Sequence, residues 1–182
     1  MGVRNGVSTG GGRILLGERN MAEKIGIDFH GVISAAPALF AEFCREIRRR
    51  GIKVYIITGG PKKDIIRYLE RCQVEYDEVW AILDFYEQQG KARFFDDGSF
   101  MVDTELWDKA KAEYCAAEGI RFHIDDSGIY GRYFVTPYCR YDIGAGTCAW
   151  KGRTIDFKDA KKAAAEVAVL LQTEENSEVH GR

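Results

Sequence analysis

Short β-type runs alternate with helical segments along most of this chain, and that alternation is the strongest limit on what it can fold into. Lys24 to Asp28, Lys53 to Ile57, Glu78 to Ile82, Arg121 to Ile124 and Arg132 to Thr136 each read as a strand, rich in β-branched and aromatic residues. Between them the apolar spacing turns helical. Pro37 to Arg50 places Leu39, Phe40, Phe43 and Ile47 on one face, with Gly51 as a stop and Arg48 to Arg50 complementing the helix dipole. Pro61 to Arg71 does the same with Ile65, Ile66 and Leu69. Leu106 to Glu118 aligns Trp107, Ala110, Tyr114 and Ala117, closed by Gly119. Asp156 to Leu171 aligns Phe157, Ala160, Ala164, Val167 and Leu171. Such alternation requires crossover connections. It predicts an α/β fold with a Rossmann-like, mostly parallel sheet of about five strands flanked by helices. One stretch breaks the rhythm: about Leu83 to Asp103 holds two alternating runs around Asp96-Asp97-Gly98, which predicts a small inserted β-hairpin.

The ends differ from this middle. Residues 1–20 hold six of the chain's 20 glycines and show no periodicity, which predicts a flexible arm. Gly10 to Gly12 follow no strand and precede no Gly-Lys-Ser/Thr, so they do not read as a phosphate loop. Met21 stands directly before the first strand pattern. Residues 21–172 form the expected α/β domain, and 173–182 a polar tail. Charge is nearly balanced, 26 Lys and Arg against 28 Asp and Glu, so a nucleic-acid partner is not indicated. Ile14-Leu15-Leu16 is too short for a secretory signal, and no apolar run approaches the roughly 18 residues that cross a bilayer. The five cysteines, Cys44, Cys72, Cys115, Cys139 and Cys148, form no C-x-x-C pair and read as reduced thiols of a cytoplasmic protein with no membrane partner.

Chemistry is concentrated at the strand ends. In open α/β sheets ligands bind beyond the carboxyl ends of the strands. The first strand ends in Asp28-Phe29-His30-Gly31-Val32, the second in Thr58-Gly59-Gly60-Pro61, and the fourth in Asp125-Asp126-Ser127. Converging carboxylates suit Mg²⁺, which prefers oxygen ligands. Gly59 and Gly60 permit close backbone approach, Pro61 fits the first turn of a helix, and free amides at that helix start would cradle phosphate. The turn after strand one lacks the glycine spacing of a dinucleotide site.

In this order the motifs resemble those of the haloacid dehalogenase (HAD) superfamily, over about Ile25 to Thr136. Ile27-Asp28-Phe29-His30-Gly31-Val32 is similar to its first motif, Val54 to Gly59 to its second, and Phe122-His123-Ile124-Asp125-Asp126 to its fourth. Lys109, with Lys111 close behind, is the candidate for the motif lysine. The resemblance implies a Mg²⁺-dependent phosphatase in which Asp28 attacks phosphorus, Thr58, Gly59, Gly60 and the lysine hold phosphate, and Asp28, the His30 carbonyl, Asp125 and Asp126 hold the metal. A carboxylate nucleophile splits one displacement into two through an aspartyl phosphate. The departure is His30, where the family carries its general acid/base aspartate. Imidazole can move protons near neutral pH; the alternative is an inactive HAD-like module that binds phosphate or a partner. His123, between Phe122 and Ile124, reads as structural. The short insert implies a nearly capless member, open to a bulky phosphorylated substrate or covered by a second copy of the chain. Phe94, Phe95, Phe100 and Met101 on the hairpin are candidates for a partner patch or partial lid.

Overall fold

The structure is a computed structural model and describes residues 22–150 and 152–179. The expected glycine-rich arm of residues 1–20 therefore lies outside the described residues. The fold is α/β. Among the described residues nine strands run as β1 (Lys24–Ile27), β2 (Lys53–Thr58), β3 (Glu78–Ala81), β4 (Arg93–Phe94), β5 (Phe100–Met101), β6 (Phe122–Asp125), β7 (Tyr138–Asp142), β8 (Thr147–Trp150) and β9 (Arg153–Asp156). The helices are α1 (Pro37–Arg49), α2 (Lys62–Arg71), α3 (Ile82–Gln88), α4 (Thr104–Glu118) and α5 (Ala160–Val179). Seven strands form one sheet in the order β3-β2-β1-β6-β7-β8-β9. The first five of these are mutually parallel, and β8 and β9 continue the sheet antiparallel.

The central strands β1, β2 and β6 are buried on both faces, which explains their near-continuous apolar runs. Along β2, Val54 and Ile56 join one core with α1, α2 and α5, while Ile57 joins another beneath α4. Phe40 and Phe43 of α1 meet Phe157 with ring centroids 5.5 and 5.1 Å apart. Burying a phenyl ring of this kind stabilises by roughly 1.5–3 kcal/mol.

Several elements differ from the sequence-based expectation. Arg132 to Thr136 is not the fifth strand: Tyr130–Tyr133 makes a 3₁₀ turn, and the fifth parallel strand is β7. Alternation in Tyr138 to Asp142 and Thr147 to Trp150 sends Cys139, Tyr141, Cys148 and Trp150 to the core, with Gly144, Gly146 and Gly152 in the connections. The last helix starts at Ala160, because Arg153–Asp156 pairs with β8 and Asp159 caps the Lys162 amide at 3.0 Å. It continues through Val179, into the stretch expected as a tail. The insert begins with α3, and its hairpin is short, with Arg93 opposite Met101 and Phe94 opposite Phe100.

Cys139 and Cys148 are joined in a disulfide, contrary to the expectation of five reduced thiols. Tyr141 opposes Cys148 in the ladder, so the two cysteines are diagonal neighbours on one face, with Cα atoms 5.8 Å apart. Cys44, Cys72 and Cys115 are free. Among the described residues no helix is long and apolar enough to cross a membrane.

Candidate active site

The β1, β2 and β6 ends meet at one edge of the sheet, since β1 lies between the other two. Asp28 follows β1 directly. Its amide donates to the Ile124 carbonyl at 2.8 Å, and its carboxylate Oδ1 accepts from the Phe29 amide at 2.8 Å. The chain then bends through His30 (φ −74°, ψ 134°) into Gly31 at φ +73°. A Cβ on Gly31 would overlap the Asp126 carboxylate, so glycine here serves both the left-handed backbone and the room for Asp126.

Lys111 of α4 reaches down into this edge. Its Nζ lies 2.9 Å from Asp28 Oδ1 and 2.7 Å from Asp125 Oδ2, and the side chain is only 2% exposed. Lys109, the first candidate for the motif lysine, does not reach this edge: it faces outward, 3.6 Å from Glu105 and 3.8 Å from Glu113. The reason is helical phase. Lys111 lies four residues after Trp107 and three before Tyr114, on the inward stripe, whereas Lys109 is flanked at four residues on either side by acids. That spacing was readable in the sequence.

Asp125 is fully buried and engaged at both oxygens: Oδ1 accepts from the Ser127 amide at 2.9 Å, and Oδ2 meets Lys111 and His123 Nε2, the latter at 3.3 Å. His123 in turn stacks on Phe134, centroids 5.0 Å apart. His123 is thus a structural residue that orients a site carboxylate. Asp28, Asp125 and Asp126 each offer an oxygen within 4.8 Å of the others. These three carboxylates, with oxygen donors alone, could hold a metal ion. Asp28 Oδ2 and the half-buried Asp126 carry the oxygens least committed to the protein.

The electrostatics follow from burial. Burial pushes the Asp28 carboxyl up to about 7, and nearby Asp125 adds to this, against the pull of Lys111. Burial also opposes charge on Lys111, but Asp28 and Asp125 outweigh it and hold the ammonium above its ordinary range. Burial would raise Asp125 too; the hydrogen bond with His123 and the Lys111 charge keep it below the usual carboxylate range. His30 is held below 6.5, by burial first and by Lys111 second, against Asp126.

Thr58 is fully buried at the end of β2, with Oγ1 3.3 Å from His30 Nδ1. Gly59 and Gly60 follow it along a cleft of about 270 Å³ that Asp28, His30 and Lys111 also line. The start of α2 is not the free amide cradle expected from the sequence. The Lys62 amide donates to Asp84 Oδ2 of α3 at 2.8 Å, so a carboxylate already caps that helix. Two groove-like hollows of about 750 Å³ lie elsewhere, one along β7 and β8 and one beside Ala22 and Val169, but neither holds a comparable buried charge cluster.

Sequence reasoning missed Trp107 and Tyr130 as wall residues. Trp107 Nε1 donates to the Tyr130 hydroxyl at 3.1 Å, and the Tyr130 ring centroid lies 4.5 Å from Lys111 Nζ. Only the placement of the 3₁₀ turn beside α4 brings them together; no local signal links them. Compared with known proteins, the chain matches no family model, no curated protein and no solved structure.

Proposed function

We propose that this chain is a divalent-metal-dependent phosphohydrolase of the HAD type, acting on phosphate monoesters through an aspartyl phosphate. The observation that carries the reading is the buried Lys111 ammonium bridging Asp28 and Asp125, with Asp126 beside them, His30 lining the same cleft and Thr58 buried behind it against His30. Asp28 and Asp126, with Asp125 behind them, would hold Mg²⁺, which supplies neutralisation of phosphate charge when bound.

In the first half-reaction an Asp28 oxygen forms a bond to phosphorus as the ester P–O bond breaks. The electron pair of that bond leaves with the alcohol oxygen, which takes its proton from protonated His30, leaving that imidazole neutral. In the second, water attacks the aspartyl phosphate and gives a proton to neutral His30. Phosphate departs and the Asp28 carboxylate is restored. Lys111 keeps Asp28 aligned and offsets charge as phosphate approaches. Thr58 Oγ1 serves as a donor to phosphate once His30 turns from it.

A second reading, an inactive binding module, draws support from two contacts. His30 and Thr58 are paired with each other, and Asp84 occupies the start of α2. The deciding experiment is Mg²⁺-dependent hydrolysis of an aryl phosphate, with phosphoenzyme trapping by beryllium fluoride. The hydrolase reading expects turnover and trapping in wild type and neither in Asp28→Asn. Inert wild type, switched on by His30→Asp alone, would establish the binding module instead.

A further inference from the structure

Away from the carboxylates, the wall of the cleft is aromatic. Phe100 of β5, Trp107 of α4 and Tyr130 line it together with Gly59 and Gly60. Trp107 is fixed on two sides. Its indole N–H is bonded to Tyr130, and its ring lies so close to Gly59 that a Cβ there would come within 3.2 Å of Cζ2. Phe100 lies 5.5 Å from Trp107, tilted by 32°, and remains 42% exposed on the hairpin. The wall is therefore preformed at Trp107 and open at Phe100, where apolar area is left to cover.

The same lining is poor in charge. Lys111 is the one cation among the lining residues, and Asp28 and Asp125 already hold it. No lysine or arginine in the cleft remains for a second phosphate or a substrate carboxylate. We infer that this cleft selects phosphate monoesters of planar aromatic alcohols, with the aromatic group resting on Phe100 and Trp107 and the phosphate reaching Asp28. This rests on the reading above for the reaction, but not for the binding preference. One aromatic stack contributes a preference of about 2- to 12-fold over an aliphatic group of similar area.

The test separates binding from turnover by using phosphonates, which are not hydrolysed. Calorimetry with Mg²⁺ present compares benzylphosphonate with butylphosphonate on wild type, Phe100→Ala, Phe100→Leu and Met101→Ala. Met101 follows Phe100 in the strand and points to the other face of the hairpin. Wild type and Met101→Ala should prefer the benzyl compound at least about 2-fold, the lower end of a single stack. Both Phe100 variants should lose that preference, Leu included, since it restores apolar area without a ring. Equal affinity for both phosphonates in wild type overturns the inference, as does binding of neither, or a preference that survives in Phe100→Ala. Aromatic preference without hydrolysis of any ester would sink the reaction and leave the cleft assignment standing. Hydrolysis without the preference would do the reverse.

Discussion

The two faces of the sheet are built on opposite principles. Among the described residues, the core beneath α1 and α5 packs Phe40, Phe43, Phe157, Ala164 and Val167 together with no buried charged side chain. Beneath α4 the buried set includes Lys111, His123 and Asp125, with Asp28 at its margin. One face gains free energy from burial. The other spends part of that gain keeping ionised groups out of water, because a buried charge is costly unless paired. The contrast separates two kinds of buried core: an apolar one beneath α1 and α5, and a charged one beneath α4 that holds the candidate site.

The sharpest way to break this comparison is Asp28→Asn. Turnover should fall to background, read as loss of phosphate release, while the metal-free protein becomes more stable at pH 8. The sign follows from the raised carboxyl. With an ordinary value of 3.8 and a folded value of about 7, Asp28 favours the fold at low pH. Its contribution is lost as pH rises through about 7, and the amide removes that loss. Thermal melts at pH 5 and pH 8 check this: a gain at pH 8 that shrinks at pH 5 is expected, and a destabilised variant at pH 8 would refute it.

Next in size come two deletions on opposite faces. Lys111→Met should cost about 3–5 kcal/mol, since it leaves Asp28 and Asp125 without their cation. Phe43→Ala should cost a similar 3–5 kcal/mol through an unfilled cavity. They differ in recovery. Adding Asp125→Asn to Lys111→Met should restore part of the loss in urea melts, whereas no charge change should rescue Phe43→Ala. Equal behaviour of the two would erase the distinction between the faces.

A smaller effect concerns metal and pH. If Asp28 is a ligand, as proposed, Mg²⁺ binding requires its carboxylate and below a value of about 7 must displace a proton. Affinity should rise up to about tenfold per pH unit below that point and level off above it. Titrations at pH 6 and pH 8 in buffers of different ionisation heat would show the released proton; pH-independent affinity would remove Asp28 from the ligand set. Smallest of all is Lys109→Met. An exposed ion pair on a helix contributes about 0.3–0.5 kcal/mol, so melts and turnover should barely move. A large loss of activity would return the motif role to Lys109.

The parts of the site legible in sequence are those in which a strand pattern ends in a polar residue: Asp28, Thr58, Asp125 and Asp126. Periodicity locates a strand end well, because the apolar run must stop where the sheet does. It was weaker for α4, where choosing between Lys109 and Lys111 required the helical phase of Trp107 and Tyr114. It was weakest for β7 to β9. Their four- and five-residue runs of alternating residues, separated by glycines, are too short to stand apart from loops. The pairing of Cys139 with Cys148 depends on that antiparallel register, as the Trp107–Tyr130 contact depends on α4 meeting the 3₁₀ turn. Contacts between distant segments have no local signature.

Gly31 carries a consequence for how this loop tolerates change. Its positive φ alone would admit asparagine or aspartate, whose short side chains enter the left-handed region at modest cost. The Asp126 carboxylate above it admits neither without moving. A randomised library at position 31 screened only for soluble expression should therefore return asparagine and aspartate beside glycine. The same library screened for metal affinity should return glycine alone. The residue with no side chain then becomes a record of which pressure, folding or chemistry, has acted on the molecule.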